Sequence, residues 1–580
     1  MAWAENLSCI WINPNNTLQL RDGRYRSSGI QDYVAVSYSW KETPGLEDAE
    51  AGGYSIFDCK DGHVRPSKVR DQALSRVIRY AKYHQVLRFW IDRECIPDDK
   101  SEERQIAMDS MDLVYRTSAY PVGLLAATLE TQDQVNQLQD LLLGAYAVLD
   151  EDSYPRLVQP VHAPSSRAAC NLLRRLQADR WWNRAWIFQE EYLSSIRMHL
   201  LIRRKQDTVA LRQFGFLHGE MCINAVNFRE QATIFLLAFQ REAQGKRSRV
   251  SAQMLKMLGS YKIQYRFQHD AKGKAMAPRI FADIQRRGIE KLHDRIHIAA
   301  NSCNYAIRFN SEIMLDRGHD LDLCLLTMYL LNGELLRGVR NIQKLPTDMH
   351  LTNYLQYITF DKFDVPVEGK DLSYLKTCRL HGVSLSYEGI LAKGHVWRFS
   401  GALSTRSWPP APRWSRKYHN KGLNNFQRDC LHQALIKLRN YDQALHFLTG
   451  RIEHYLEQDM LDADPSPVKQ HMDLMAESVV EAIRVGKPLQ LVSMHEDALP
   501  CGLFTGLMKP ATGVFASWYA GSGGDGRHRQ SQVSLGVEVE DTIAGPRLTT
   551  VQWVNGLVFF KQNEQTTVIF RWPQKWLWKF

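Results

Sequence analysis

The sequence lacks the cysteine pairs, leader and apolar runs that are typical of secreted and membrane proteins. Its ten cysteines are isolated and no Cys-x-x-Cys pair occurs, which argues against a disulfide framework and against a zinc site. No basic segment followed by an apolar run opens the chain. The most apolar window, residues 321–336, contains Asp322 and Glu334 and is too short to span a bilayer. We therefore expect a protein of a reducing compartment, the cytoplasm or the nucleus, without a membrane span.

Several signatures of nucleotide and hydrolase sites are also absent. The chain has neither a phosphate-loop lysine motif nor a Gly-x-Ser-x-Gly turn. Gly521, Gly523 and Gly526 have the spacing of a dinucleotide fingerprint, but no helix pattern follows them, so we interpret this segment as a flexible loop. The net charge is +10, yet the densest basic run, residues 246–249, has no aromatic residues interleaved for base stacking. We therefore predict no nucleic-acid partner.

The composition is that of a globular protein, with 44% hydrophobic, 23% charged and 10% aromatic residues. A chain of 580 residues exceeds one ordinary core, since domains usually have about 100–200 residues. Strand-like and helix-like segments alternate through residues 1–205, which predicts an α/β domain with a mostly parallel sheet. Residues 206–460 look mainly helical. Residues 461–580 combine a helix that ends near Gly486 with several antiparallel strands, and Asn555-Gly556 predicts a two-residue hairpin among them.

Polar and aromatic residues follow the first two strands that we predict in the α/β domain. Ser37 to Trp40 end the strand at residues 33–38, and Asp92 ends the strand at residues 87–92. Functional groups of parallel sheets gather beyond the carboxyl ends of the strands. We therefore expect these two segments to face a common crevice.

Three motifs in the first 205 residues resemble the signature blocks of the fungal heterokaryon-incompatibility (HET) domain. Residues 33–40, Tyr-Val-Ala-Val-Ser-Tyr-Ser-Trp, resemble the opening block, a strand that ends in Ser-Tyr-x-Trp. Residues 89–115 begin with Phe-Trp-Ile-Asp-Arg-Glu-Cys-Ile and resemble the Trp-Ile-Asp-x-x-Cys-Ile block and the helix after it. Residues 180–190, Arg-Trp-Trp-Asn-Arg-Ala-Trp-Ile-Phe-Gln-Glu, resemble the Arg-x-Trp-x-Arg-x-Trp-x-x-Gln-Glu block. The motifs occur in the family's order and at plausible distances.

The resemblance implies that residues 1–205 form a HET domain, whose fold is thought to be similar to the flavodoxin-like TIR domain. It implies an effector or regulator of fungal non-self recognition, since these domains trigger programmed cell death after incompatible fusion. Recognition by a protein partner, or self-association, belongs to such a role. Some TIR domains cleave NAD with a glutamate and others only build signalling scaffolds. We favour a non-catalytic signalling module without a resident cofactor, and the alternative is a hydrolase of NAD or a related nucleotide.

The sequence departs from the family pattern at two places. Pro97-Asp98 stand where the family usually has Asn-Gln, and Lys41 stands where a glycine commonly follows the first tryptophan. If the amide of that glutamine binds a ligand in relatives, Asp98 removes the interaction here. A degenerate paralogue that keeps the fold without the activity is therefore a third interpretation.

The resemblance and the strand ends together provide the candidate site residues. Glu103 and Glu190 are the catalytic candidates, because a carboxylate can stabilise the positive charge of a glycosidic bond that is being cleaved. The ligand-binding candidates are Ser37, Tyr38, Trp40, Trp90, Asp92, Arg180, Trp182, Arg184 and Gln189. His293 and His297 have the spacing of two metal ligands on a helix, but no third ligand is indicated. We interpret them as surface histidines and expect no metal.

The candidates also have structural interpretations. Asp92 can cap the turn that follows it, and Glu103 can be a first-turn acid paired with Lys100. The tryptophans can fill the core, as such aromatic residues more often do. Arg180 and Arg184, spaced i and i+4, can form an internal ion pair with Glu190 instead of binding a phosphate.

Overall fold

The computed structural model of the chain describes residues 7–15, 17–23, 29–40, 51–98, 101–150, 155–243, 257, 277–334, 379–406, 423–461, 467–494, 499–506, 511–519, 531–559 and 565–572. Two compact units are present, residues 1–324 and residues 325–580. Lys41, Lys100, the basic run at 246–249 and the glycines at 521–526 lie outside the described residues. Among the described helices, none is both long and apolar enough to cross a membrane.

A sheet of nine strands forms the centre of the first unit. The strands of this unit are β1 (Leu7–Ile12), β2 (Leu18–Gly23), β3 (Val34–Tyr38), β4 (Ser55–Asp58), β5 (His63–Pro66), β6 (Arg88–Ile91), β7 (Val122–Leu129), β8 (Ala147–Leu149), β9 (Pro155–Leu157), β10 (His199–Arg204) and β11 (Glu220–Asn224). The order across the sheet is β11-β10-β7-β3-β6-β1-β2-β4-β5. The remaining strands, β8 and β9, pair with each other as a hairpin.

The sheet is mixed in its strand directions. Its central strands β10, β7, β3 and β6 run parallel, and β2 is parallel to β4. Antiparallel pairings join β11 to β10, β6 to β1, β1 to β2 and β4 to β5. The expected mostly parallel sheet is thus limited to the centre, because the β1–β2 and β4–β5 hairpins add antiparallel pairs that the expectation left out. A flavodoxin-like or TIR-like fold stays a prediction.

The helices of the first unit connect and flank these strands. They are α1 (Asp71–Tyr83), α2 (Asp92–Cys95), α3 (Glu102–Thr117), α4 (Gln132–Leu142), α5 (Pro164–Gln177), α6 (Ala185–Ser194), α7 (Ala225–Ala243), α8 (Ala277–Gln285), α9 (Arg295–Cys303) and α10 (Ser311–Asp316), and α11 (Leu321–Leu331) contains the boundary to the second unit. The Ser101 hydroxyl accepts a hydrogen bond from the backbone N–H of Arg104, which fixes the start of α3. Thr131 caps α4 in the same way.

Trp181 and Trp182 of the third motif lie in the core of the first unit. Both belong to a hydrophobic cluster with side chains of β7, β10, α5 and α7. Their rings meet edge to face with centroids 4.8 Å apart, and the Trp182 ring also contacts Phe228. Aromatic residues of this size contribute a large buried area, so the third motif is part of what stabilises the domain.

A buried ion pair ties α1 to the sheet. Nε and Nη2 of Arg76 donate hydrogen bonds of 2.8 and 3.0 Å to the two carboxylate oxygens of Glu220 in β11. The same guanidinium donates bonds of 2.8 Å to the backbone carbonyls of Leu125 and Leu201. Each of the three guanidinium nitrogens is thus paired inside the protein, which offsets the cost of burying the charge.

The second unit combines a sheet with helices. Its strands are β12 (His381–Leu385), β13 (Gly389–Leu403), β14 (Leu489–Ser493), β15 (Gly502–Thr505), β16 (Gly513–Tyr519), β17 (Ser531–Thr542), β18 (Gly545–Trp553), β19 (Gly556–Val558) and β20 (Thr566–Arg571), and its helices are α12 (Asn425–Tyr441), α13 (His446–Leu461) and α14 (Pro467–Arg484). Pairings run from β13 to β16, β17, β18, β20 and back to β13, so five strands close into a ring. Apolar side chains of the three helices share a core with β13, β14, β15 and β19.

Two features of the second unit differ from the sequence expectations. The segment predicted as mainly helical also contains β12 and β13, which belong to the sheet of the second unit. Asn555-Gly556 does not form the predicted hairpin, because both edges of β18 are occupied by β17 and β20, and β19 pairs with β15. The end of α14 is as predicted: Gly486 has a φ of 69° and its N–H donates to the carbonyl of Ile483.

Candidate functional site

The carboxyl ends of β3 and β6 bring the first and second motifs together. Val36 pairs with Ile91 in parallel register, so the residues after both strands lie at the same edge of the sheet. There the indole nitrogen of Trp40 donates a hydrogen bond of 2.8 Å to Oδ2 of Asp92. Oδ1 of Asp92 accepts a bond of 2.7 Å from the backbone N–H of Arg93. Asp92 thus holds its own turn and the end of the neighbouring strand at once.

The third motif is fastened to the same edge through Trp181. Its indole nitrogen donates a hydrogen bond of 3.0 Å to the hydroxyl of Ser37 in β3. Its backbone N–H donates to Asp179, whose carboxylate also accepts from the N–H of Ala127 in β7. The ring reaches this position across Gly123 of β7, where a Cβ atom would lie 2.8 Å from it. A glycine at that point of β7 is therefore needed for this packing.

Two guanidinium groups contact the ring of Trp40. Arg93 lies 5.5 Å and Arg184 lies 5.7 Å from the ring centroid, within cation–π range. Nη1 of Arg184 also donates a hydrogen bond of 2.6 Å to the carbonyl of Tyr38. The indole is 40% exposed, and both arginines are partly exposed. Arg93 is missing from the residues predicted by sequence, because it stands at a variable position of the second motif, and the available signal was a cation directly after a strand-end carboxylate.

Trp40, Arg93 and Arg184 form the partly exposed rim of the site, whereas Glu190 is buried. Burial and the charge of Asp92 raise the pKa of its carboxyl to about 8, although Arg184 and hydrogen bonding from Ser37 and Tyr115 act in the opposite direction. Burial also raises the pKa of Asp92, against the lowering effects of Arg184 and of the Trp40 hydrogen bond. The site therefore contains two interacting carboxyl groups and two guanidiniums, and one carboxyl exchanges its proton near neutral pH.

Three buried polar atoms around these carboxyls have no hydrogen-bond partner among the described residues. They are Oε2 of Glu190, the phenol oxygen of Tyr38 and the indole nitrogen of Trp90. Their residues are 2%, 4% and 1% exposed, respectively. Burial and the charge of Asp92 raise the pKa of Tyr38, so its hydroxyl stays protonated and can donate. Since native proteins rarely leave such atoms unpaired, this edge of the sheet is a candidate ligand site.

The remaining residues of the second motif have structural partners. Glu94 is buried and accepts hydrogen bonds of 2.6 to 2.7 Å from Arg65, the hydroxyl of Ser67 and the N–H of Lys68. Asp98, which stands where the family usually has a glutamine, pairs with the amine of Lys68 at 2.6 Å. That contact lowers the pKa of Asp98, which lies at the exposed surface. The departure from the family pattern therefore forms a surface ion pair.

Glu103 lies at the surface in the first turn of α3. Its side chain is 66% exposed and its carboxylate pairs with Lys60 at 3.2 Å. Lys60 also lies 3.5 Å from Asp22. None of these contacts involves Trp40 or Asp92. The structure therefore does not bring Glu103 into the strand-edge cluster, which consists of Trp40, Asp92, Arg184 and Glu190. Its catalytic role stays a prediction.

Three further predicted ligand-binding residues are Trp182, Gln189 and Arg180. Trp182 belongs to the core, as described above, and its ring lies 5.1 Å from the guanidinium of Arg229. The side-chain oxygen of Gln189 accepts a hydrogen bond of 3.2 Å from Asn301 in α9. Arg180 begins the short turn at Arg180–Asn183 that precedes α6, and it is partly exposed. Their ligand-binding roles stay predictions.

Three hydrogen-bonded polar side chains connect α3, α9 and α10. Nδ1 of His297 lies 2.9 Å from Oδ1 of Asp109, and its Nε2 lies 2.8 Å from the hydroxyl of Ser311. This order matches a hydrolase triad, but Ser311 is 3% exposed and the first two N–H groups after it donate to Asn310 instead of surrounding an oxyanion. We therefore interpret these three hydrogen-bonded side chains as a structural contact between the helices. The expectation of a surface position is wrong for His297, which is buried, and no described group of three or more His, Cys, Asp or Glu residues could hold a metal ion.

Comparison with known families gives one match to this region. Residues 33–190 match the family model described as "Heterokaryon incompatibility protein (HET)". The chain contains a HET domain. The motifs at 33–40, 89–115 and 180–190 all lie within the matched range, and the HET domain thus includes the Trp40, Asp92, Arg184 and Glu190 cluster. No curated protein and no solved structure gives a significant match to the chain.

Proposed function

We propose that the chain is an effector or regulator of fungal non-self recognition, in which its HET domain promotes programmed cell death. The observation that carries this proposal is that all three motifs of the domain are joined by direct side-chain contacts. Trp40 binds Asp92, Trp181 binds Ser37, and Arg184 binds the carbonyl of Tyr38. These contacts hold the three motifs together as one unit, which supports a common role for them. The action in the cytoplasm, and a partner protein or self-association as trigger, are parts of the same proposal.

The test is induced expression of the full chain in a filamentous fungus, with growth and uptake of a vital dye as readouts. We expect growth arrest and dye uptake with the wild-type chain and their loss with Arg184→Gln. Arg88→Gln is the matched control, because Arg88 also stacks on a tryptophan of the same domain, at 5.5 Å from Trp11, but lies outside the cluster. Equal protein levels must be verified by immunoblot. A host that grows normally with the wild-type chain, alone and together with candidate partners, would overturn the proposal.

A second candidate function is the hydrolysis of NAD or a related nucleotide, and the state of Glu190 favours it. A carboxyl with a pKa of about 8 can accept a proton near neutral pH, which is what a base needs to activate a water molecule. In that reaction water adds to the ribosyl carbon, its proton passes to Glu190, and nicotinamide leaves with the bonding electrons. Glu190 is thus the stronger of the two predicted catalytic residues, since Glu103 is engaged at the surface with Lys60.

Purified full chain incubated with NAD distinguishes these candidates. A hydrolase should release nicotinamide, and Glu190→Gln should reduce the rate by at least about a hundredfold, as removal of a general base does. Glu103→Gln should leave the rate within about twofold, because its carboxylate lies outside the cluster. Cell death in the fungus without nicotinamide release would support a signalling scaffold. Inertness in both experiments would favour the degenerate paralogue.

A further inference from the structure

The rim of the strand-edge cluster carries positive charge next to an exposed aromatic ring. Trp40 is 40% exposed, while its indole nitrogen is hydrogen-bonded to Asp92. Arg93 and Arg184 both contact its ring. The Asp92 bond to Trp40 fixes the orientation of the indole, and the bond of Arg184 to the Tyr38 carbonyl fixes one of the two guanidiniums beside it.

Neither arginine forms a direct ion pair with a carboxylate among the described residues, although both interact with Asp92 at longer range. Arg93 has no ion pair among the described residues, and the hydrogen bond of Arg184 goes to an uncharged carbonyl. Glu94 lies nearby but is engaged by Arg65, Ser67 and Lys68. The carboxyls of Asp92 and Glu190 are buried, and the raised pKa of Glu190, about 8, means that this carboxyl is mostly uncharged near neutral pH. The rim is therefore suited to an anion.

Tyr38 and Glu190 lie close enough to Arg184 to interact with its charge. The hydroxyl of Tyr38 and Oε2 of Glu190 are buried without a hydrogen-bond partner in the described residues. Tyr38 is the residue whose carbonyl binds Arg184, so its side chain and the rim belong to one stretch of backbone. A donor and an acceptor at this depth fit the hydroxyl groups of a sugar. This observation is independent of the arginines and points to the same ligand.

We propose that Arg93, Trp40 and Arg184 bind the phosphate-bearing part of a nucleotide whose sugar hydroxyls bind Tyr38 and Glu190. Planar guanidiniums pair with phosphate oxygens through two hydrogen bonds, and an exposed indole can stack on a base or a sugar ring. The inference rests on the nucleotide-directed candidate function for the reaction that follows binding. Binding itself does not depend on cleavage, so the HET domain uses the same rim if the nucleotide only switches its signalling.

Isothermal titration of the full chain with ADP-ribose, adenosine and inorganic pyrophosphate tests the site. We expect ADP-ribose to bind at least about tenfold more tightly than adenosine, because charge-assisted hydrogen bonds to phosphate are among the strong ones. Arg93→Gln and Arg184→Gln should each weaken ADP-ribose binding about tenfold and leave adenosine binding within about twofold. Arg88→Gln, the tryptophan-stacked arginine outside the cluster, should change neither. Arg93→Lys retains the charge and should fall between Arg93→Gln and wild type.

The possible results separate this inference from the catalytic candidate. If ADP-ribose binds through the two arginines but NAD is not cleaved, the inference holds and the hydrolase proposal fails. If NAD is cleaved in a Glu190-dependent way while both arginine variants bind ADP-ribose like wild type, the inference alone fails. Absence of ADP-ribose binding, or an equal loss for ADP-ribose and adenosine in folded Arg93→Gln, also overturns it. Circular dichroism of each variant establishes folding before titration.

Discussion

The indole nitrogen of Trp40 donates a hydrogen bond of 2.8 Å to Oδ2 of Asp92, 52 positions later in the chain. Trp40 follows β3 and Asp92 follows β6, so the bond joins the ends of two neighbouring parallel strands. Burial raises the pKa of Asp92, and this hydrogen bond is one of the interactions that lower it. Trp40 therefore helps to keep a carboxylate charged at a buried edge of the sheet.

Replacement of Trp40 by phenylalanine removes the bond and keeps an aromatic ring beside Arg93 and Arg184. We expect Trp40→Phe to lower the free energy of unfolding by roughly 1–3 kcal/mol, because Asp92 then loses a partner at a buried position. Thermal unfolding followed by circular dichroism should show a lower midpoint. Trp11→Phe is the control, since Trp11 also contacts two arginines but its indole nitrogen has no hydrogen-bond partner among the described residues. A loss as large in the control would contradict the explanation.

The central elements of the HET domain could be predicted from sequence because their patterns are local. Strands β3, β6 and β7 are short runs of apolar and β-branched residues, and α1 and α3 have clear helical periodicity. The flanking hairpins carry no such signal: β4 and β5 are mostly exposed and have mixed composition. Strand β13 was equally hard to predict, because it has polar residues along its length and pairs with several strands that follow it in sequence.

The positions of the site residues could be predicted only from the rule that functional groups gather beyond the carboxyl ends of parallel strands. That rule brings Trp40 and Asp92 to one edge, which the structure shows. The raised pKa of Glu190 instead results from burial and from the charge of Asp92, which lies far from it in sequence. The pairing of Arg76 with Glu220, which are 144 positions apart, depends in the same way on tertiary packing. No spacing in the sequence encodes either relationship.

The buried pair of Arg76 and Glu220 gives a second prediction. Arg76→Met should lower the free energy of unfolding of the first unit by roughly 3–5 kcal/mol, because it leaves the Glu220 charge without its main partner in the interior. Arg79→Met is the control, since Arg79 is partly exposed and lies 3.4 Å from the same carboxylate, so its loss should cost less than about 1 kcal/mol. Chemical denaturation measures both. Arg76→Met combined with Glu220→Leu should recover part of the loss, and a double variant no more stable than Arg76→Met would argue against an uncompensated charge.

Gly123 provides a third prediction, which concerns the packing of the Trp181 ring against β7. A Cβ atom at this position would lie 2.8 Å from the Trp181 ring and from a methyl group of Leu200. We expect Gly123→Ala to cost about 1–3 kcal/mol by overpacking and to shift the tryptophan fluorescence spectrum. Gly450→Ala is the opposite case, because Gly450 lies in helix α13 with open space around the added methyl group. It should stabilise the protein by up to about 1 kcal/mol. A neutral Gly123→Ala variant would show that Trp181 can move without loss.

The fourth prediction concerns the pH dependence of stability that Glu190 causes. Its ordinary pKa of 4.5 applies to the unfolded chain, and its value in the folded protein is about 8. Between these two values the folded protein keeps a proton that the unfolded chain has released, so rising pH favours the unfolded chain. The stabilising effect of protonation is thus complete below pH 4.5 and is lost as the pH rises through about 8.

Glu190→Gln isolates this effect, because glutamine has the shape of the protonated carboxyl and does not titrate. Near pH 4.5 we expect the variant and the wild type to unfold at similar temperatures. As the pH rises towards 8 the wild type should become progressively less stable than the variant, and above about 8 the difference should remain constant. Thermal unfolding of both proteins over this range measures the difference, in which titrating groups that do not interact with Glu190 cancel. A difference that is the same at every pH would mean that Glu190 keeps its ordinary pKa in the folded protein, and Glu190 would then lose the property that favours it as the base.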